Sequence, residues 1–191
     1  MESPSCRLRR LHYGLDIARN DKRMLAPMIR SKTSAGLLMF RKQGDELEVL
    51  LVHSGGPYFQ NKDDGAWTIP KGEVTEGEEL LRRAKTEFEE ELGIAASGED
   101  WTDLGSIKQK GGKTVHAWAF AGDLNDDFKL SSNTFEMEWP PHSGTMREFP
   151  EIDRASFFSL EEARKKMNAA QCPFLDRLVD SLGSRSGREL R

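Results

Sequence analysis

Three glutamates, Glu87, Glu90 and Glu91, stand at i, i+3, i+4 spacing in the stretch GEVTEGEELLRRAKTEFEEELGI, from Gly72 to Ile94. On a helix this spacing gathers them on one face. Carboxylates packed this way repel one another, and the helix dipole disfavours them near a C-terminus. A hard divalent cation is the natural counter-charge. On a wheel of roughly 100° per residue, Leu80, Leu81, Ala84, Phe88 and Leu92 form one apolar stripe. Glu91 falls at its edge, Glu87 lies beside it, and Glu90 stands one step further out. The spacing therefore predicts that Glu87 and Glu91 are half-buried. A half-buried carboxylate needs a metal, an arginine or a proton. For Glu79 and Glu89 the ordinary reading of a charge run, a solvated face, is the better one. Thr75 and Glu78 read as a capping box, and Gly93 as a helix stop.

Oxygen donors of this kind favour Mg²⁺, with Mn²⁺ as a substitute. Such ions bind phosphate oxygens, neutralise their charge and lower the pKa of bound water. A carboxylate left free of tight coordination can take the proton of an attacking water. The reaction class that fits is hydrolysis of a pyrophosphate linkage. The histidines offer no zinc spacing, and His53 and His116 read as structural strand residues. Neither Cys6 nor Cys172 sits in a nucleophile motif.

The elements that must position these groups follow from pattern. Thr33 to Arg41 reads as a buried strand and Leu47 to His53 as its hairpin partner across a Gly44-Asp45 turn. Ser54 to Gly65 is a loop. Trp67 to Gly72 is a short strand entering the turn before the motif helix. Trp101 to Lys110 and Lys113 to Ala121 are further strands. The second alternates, with Val115, Ala117 and Ala119 on one side and His116, Trp118 and Phe120 on the other. Asp123 to Arg147 reads as a long irregular loop of the kind that serves as a functional lid or a mobile segment. Ile152 to Phe158 is another strand. Ser159 caps a helix from Leu160, and Pro173 opens a final helix to about Leu182. This order of elements predicts an α/β sandwich with a mixed sheet.

With 191 residues the chain can build one domain with a proper core. Residues 1–30 read as a basic, flexible extension, 31–182 as the domain, and 183–191 as a disordered tail. A net charge of −4 gives no global basic field, so nucleic acid is not indicated as a partner, while a small anionic ligand could use a local basic patch. Two widely separated cysteines suit a reducing compartment, and no apolar run reaches membrane length. The cytoplasm is the expected location. The oligomeric state is left open.

The same stretch resembles the Nudix hydrolases, whose motif is G-x5-E-x7-R-E-U-x-E-E-x-G-U with U a bulky apolar residue. Gly72, Glu78, Glu87, Phe88, Glu90, Glu91, Gly93 and Ile94 match it, and the resemblance extends over about residues 33–182. Thr86 stands where the family has an arginine that helps to hold the glutamates. Arg83, four residues before Glu87, is expected to supply part of that charge. The resemblance implies a Nudix-type α/β/α sandwich with a mixed β-sheet, and an activity on a nucleoside diphosphate linked to a further group. It implies Glu87, Glu90 and Glu91 as metal ligands, with Glu90 and Glu87 as the catalytic pair. It also implies an added acid from a loop, for which Glu151, Glu136 and Glu138 are the candidates.

Two features bear on the substrate. Alone, Pro70-Lys71-Gly72 reads as a turn with a solvated lysine. Beside the motif, Trp-x-x-Pro-Lys-Gly resembles the diadenosine polyphosphate hydrolases of the family, with Lys71 and Gly72 on the phosphates. The strand opening at Lys113, after Lys108 and Lys110, is similar to one in the same branch. Tyr58 and Phe59, on a loop beside Gly55-Gly56, are candidates to stack an adenine, while Trp67 and Trp118 read equally well as core. The expected substrate is a small nucleotide polyphosphate, preferably diadenosine tetraphosphate, cleaved asymmetrically to ATP and AMP. Nucleoside triphosphates, diphosphoinositol polyphosphates and capped RNA ends are the alternative substrates. A domain that senses a nucleotide without hydrolysing it is the alternative from another class.

Overall fold

The computed structural model describes residues 33–186. The basic segment 1–30 and the end of the tail lie outside the described residues. Seven strands form one mixed sheet: β1 (Thr33–Gln43), β2 (Glu46–Ser54), β3 (Trp67–Thr68), β4 (Lys71–Glu73), β5 (Thr102–Lys108), β6 (Thr114–Ala121) and β9 (Ile152–Ser159). The central β1 runs parallel to β6, from Thr33 opposite Thr114 to Phe40 opposite Ala121. Its other edge is shared: β4 pairs with residues 34–36 and β2 with residues 40–43, both antiparallel. Strands β3 and β9 complete the β2 side.

Two cores lie on the two faces, so the expected three-layer α/β/α arrangement is present. On one face helix α1 (Leu80–Leu92) sets Ala84, Phe88 and Leu92 against Ala35, Leu37, Met39 and Phe120. On the other, α2 (Leu160–Lys166), a short 3₁₀ turn (Ala169–Gln171) and α3 (Cys172–Ser186) cover Leu38, Val115, Ala117 and Ala119. The alternation in β6 thus sorts its side chains between the two cores. Among the described residues no helix is long and apolar enough to cross a membrane.

Several local expectations are corrected. Thr75 and Glu78 do bond, with Thr75 Oγ1 and N donating to Glu78 Oε2 at 2.9 and 3.1 Å, but this closes the preceding turn. The residue that caps α1 is Glu79, which accepts from the amides of Leu81 and Arg82. The strand expected over Trp67 to Gly72 is interrupted at Ile69-Pro70. Buried Gln171 satisfies the freed Ile69 amide at 3.1 Å and pins Thr68 beside it. The region expected to be irregular contains a hairpin, β7 (Thr134–Glu138) and β8 (Met146–Pro150), with Phe135 opposite Phe149. Helix α3 continues past Leu182 to Ser186, where the Ser181 and Ser184 hydroxyls bond back to Leu178 O and Asp180 O at 2.7 and 2.8 Å.

Phe88 is fully buried edge-on against Phe120, with ring centroids 5.4 Å apart. Phe88→Ala is expected to cost about 3–5 kcal/mol of unfolding free energy, read from a shift in the denaturant midpoint.

Candidate active site

Where β1 exchanges its partner β2 for β4, the sheet opens into a cleft of about 530 Å³. Its walls combine Glu87, Glu90 and Glu91 from α1 with Lys71, Gly72 and Glu73 from β4 and Lys113 just before β6. The β7–β8 hairpin adds Phe135, the single residue between β8 and β9 adds Glu151, and the loop after β2 adds Phe59.

The apolar stripe of α1 decides how the glutamates lie. Burying Ala84, Phe88 and Leu92 turns Glu87 and Glu91 inwards, to 7% and 8% exposure, while the Glu90 side chain stays 41% exposed. The backbone of β4 is shaped to receive them. A Cβ at Gly72 would stand 1.7 Å from the Glu87 carboxyl carbon, so only glycine allows this approach. The neighbouring Lys71 amide donates to Glu91 Oε2 at 3.1 Å. Gly93 then ends the helix at φ 75°, with its amide donating to Glu89 O at 2.8 Å.

The charges are strongly coupled. Burial pushes the Glu91 carboxyl up to about 7; Lys71 pulls it back, and Glu151 and Glu90 push it further up. Burial also holds the Lys71 ammonium below its ordinary value against the pull of Glu91. Arg83 reaches across one helical turn to pair with Glu87, lies 3.4 Å from Glu90, and donates through Nε to Glu73 O at 3.2 Å. Thr86 instead bonds back to Arg82 O at 3.2 Å. Lys113 Nζ pairs with Glu73 at 3.0 Å.

A model of the NUDIX domain matches residues 30–178. This chain belongs to the Nudix hydrolase family. It is 31% identical over 111 residues to the asymmetrical bis(5′-nucleosyl)-tetraphosphatase of Caenorhabditis elegans, covering 56% of this chain and 76% of that protein. It is 43% identical over 53 residues to an RNA pyrophosphohydrolase of Novosphingobium aromaticivorans, covering 25% of this chain and 33% of that protein. Among solved structures, it resembles a C. elegans Ap4A hydrolase binary complex with a TM-score of 0.57 and 25% identity, over 79% of this chain and 98% of that one.

The Nudix motif accounts for one wall of the cleft, and the other wall was not separable in sequence. Of the three candidate loop acids, Glu151 lines the cleft, and Glu136 and Glu138 are not among its lining residues. Tyr58 packs edge-on against Trp139 at 5.3 Å, and Phe59 is the aromatic that lines the cleft from that loop. Buried His53 anchors the loop by bonding with Asp153 at 2.6 Å and Lys62 O at 2.9 Å. Lys71, Gly72 and Lys113 line the cleft, whereas Lys108 and Lys110 do not. Phe135 and Asn133 lay inside the stretch expected to be a loop; the alternation Phe135-Glu136-Met137-Glu138-Trp139 was the signal available for them.

Among the described residues, no three His, Cys, Asp or Glu side chains as they stand are gathered closely enough to hold a metal ion. Glu87 and Glu90 are engaged by Arg83, and Glu91 by the Lys71 amide. By donor type and charge the set nonetheless fits a hard divalent cation. Burial is the main push on the Glu91 carboxyl, Glu151 and Glu90 add to it, and Gly72 leaves the Glu87 carboxyl room against the backbone.

The raised Glu91 pKa carries a definite sign for the metal-free protein. A carboxyl whose folded pKa exceeds its unfolded value contributes stability below pH 4.5 that is lost as the pH rises through about 7. The loss is on the order of 3 kcal/mol. Unfolding titrations in a chelator between pH 5 and 8 are expected to show this decline in the wild type and a shallower one in Glu91→Gln.

Proposed function

We propose that this Nudix pyrophosphohydrolase cleaves a dinucleoside polyphosphate, preferably diadenosine tetraphosphate, asymmetrically to ATP and AMP. The observation that carries the reading is one cleft walled by Glu87, Glu90 and Glu91 on one helix and by Lys71 and Lys113 beside it. The similarity to an asymmetrical tetraphosphatase over 76% of that protein's length supports this substrate class.

Glu87, Glu90 and Glu91 would hold Mg²⁺, or Mn²⁺ in its place. When bound, the cation neutralises phosphate oxygens and activates water for attack. Lys71 and Lys113 bind the polyphosphate as point charges, and Gly72 lets the Glu87 carboxylate lie against the backbone at the same site. Phe59 and Phe135 offer aromatic faces for a base. Glu90, the most exposed of the three, accepts the proton of the attacking water, and Glu151 supplies negative charge from the facing wall. Arg83 is a positioning residue that holds Glu87 and Glu90 in place of the arginine the motif lacks at Thr86. The substrate is a small soluble nucleotide, which suits a cytoplasmic enzyme.

One observation favours a second reading. Glutamates already paired to Arg83 suit a domain that binds a nucleotide without turning it over. The test is a panel of dinucleoside polyphosphates, nucleoside triphosphates, diphosphoinositol polyphosphates, capped RNA ends and nucleotide sugars, assayed with Mg²⁺. The expected outcome is turnover fastest on the tetraphosphate, falling about 10²–10⁴-fold in Glu90→Gln. Tight binding with no turnover of any member would establish the sensor instead. Lys71→Met is expected to raise KM about tenfold with a smaller change in kcat.

A further inference from the structure

Among the described residues, Ser34 Oγ is the buried side-chain polar atom that has no hydrogen-bond partner. Ser34 is 1% exposed, yet it lines the same cleft as Lys71, Lys113 and Glu87. It sits near the start of β1, opposite Glu73 on β4 and beside Val115 on β6. Directly opposed strand residues project from one face, so Ser34 shares its face with Glu73, whose carboxylate holds Lys113 Nζ at 3.0 Å. Lys71 on β4, opposite Gly36, and Lys113, the residue just before β6, line the cleft with Ser34.

Packing does not call for a hydroxyl here. The next residues of β1, Ala35, Leu37 and Leu38, are apolar and fully buried, and Val115 alongside is too. Alanine would fill the site without an unsatisfied donor, and burying an unpaired hydroxyl is unfavourable. What distinguishes the position is that it lines a cleft of about 530 Å³ whose walls also carry Lys71 and Lys113. A serine hydroxyl rotates freely to suit an acceptor, and an ionised phosphate oxygen is the strongest acceptor this cleft would receive.

We propose that Ser34 is a substrate-binding residue whose Oγ–H donates to a phosphate oxygen of the polyphosphate held between Lys71 and Lys113. The proposal rests on the polyphosphate reading above and names a contact that the family motif does not contain.

The test is calorimetric titration, with Mg²⁺ present, of a non-hydrolysable methylene-bridged dinucleoside tetraphosphate and of inorganic tripolyphosphate. Wild type, Ser34→Ala and Ser34→Thr are compared, together with the thermal midpoint of each free protein. Ser34→Ala is expected to weaken both probes about tenfold while leaving the midpoint unchanged or higher, because an unpaired hydroxyl has been removed. Ser34→Thr keeps the donor and is expected to bind within about threefold of wild type. Wild-type affinity in Ser34→Ala overturns the proposal. If Ser34→Ala loses both affinity and thermal stability, Ser34→Thr decides: retained affinity supports the contact and lost affinity overturns it. Failure of the wild type to bind either probe overturns the polyphosphate reading, and this contact with it.

Discussion

Helix α1 cannot bury its apolar stripe without taking two carboxylates along. Phe88 and Leu92 are fully buried, and each such side chain contributes about 1.5–3 kcal/mol. Taking an ion out of water costs several kcal/mol. Glu87 and Glu91 share the helical face adjoining the stripe, so the hydrophobic gain drags them to the sheet. The rest of the cleft is an answer to that constraint. Gly72 clears space for one carboxylate, the Lys71 amide bonds the other, and Arg83 lends a positive charge to the first. Burial still pushes the Glu91 carboxyl above the usual carboxylate range, and a proton or a cation beside it would lower the cost of burying it.

Arg83 illustrates how a motif position can be vacated while its charge is kept. The Thr86 hydroxyl is spent on the backbone of the preceding helical turn, donating to Arg82 O. Arg83, one residue type moved three places along the helix, lies between Glu87, Glu90 and the Glu73 carbonyl. A guanidinium has enough donors to serve several oxygens at once, which a lysine at that place could not do with the same geometry.

The parts of this fold legible in the sequence were those fixed by periodicity. The stripe of α1, the inward turn of Glu87 and Glu91, the alternation of β6 and the glycine stop at Gly93 all follow from helical or strand geometry. The capping group was misread because Thr75 and Glu78 have capping-box spacing, yet the turn between them places Glu79 at the helix start. The β7–β8 hairpin stands apart from the main sheet, its side chains exposed or only partly buried, so no core imposed a clear pattern on it. Which of Glu136, Glu138 and Glu151 faces the cleft, and which of Tyr58 and Phe59, depended on how that hairpin and the loop after β2 fold back, information held in tertiary contacts. Ser34 stands near the start of an otherwise largely apolar strand, and no motif or spacing singles it out.

The central claim is that the acidic face of α1 is built around a hard cation. Its most direct test is a Mn²⁺ titration at pH 8 followed by electron paramagnetic resonance of the free ion, for the wild type and for a Glu87→Gln, Glu90→Gln, Glu91→Gln variant. The account predicts saturable loss of the free-ion signal in the wild type, displaced by Mg²⁺ and abolished in the variant. A wild-type titration that removes no more free Mn²⁺ than the variant would contradict it.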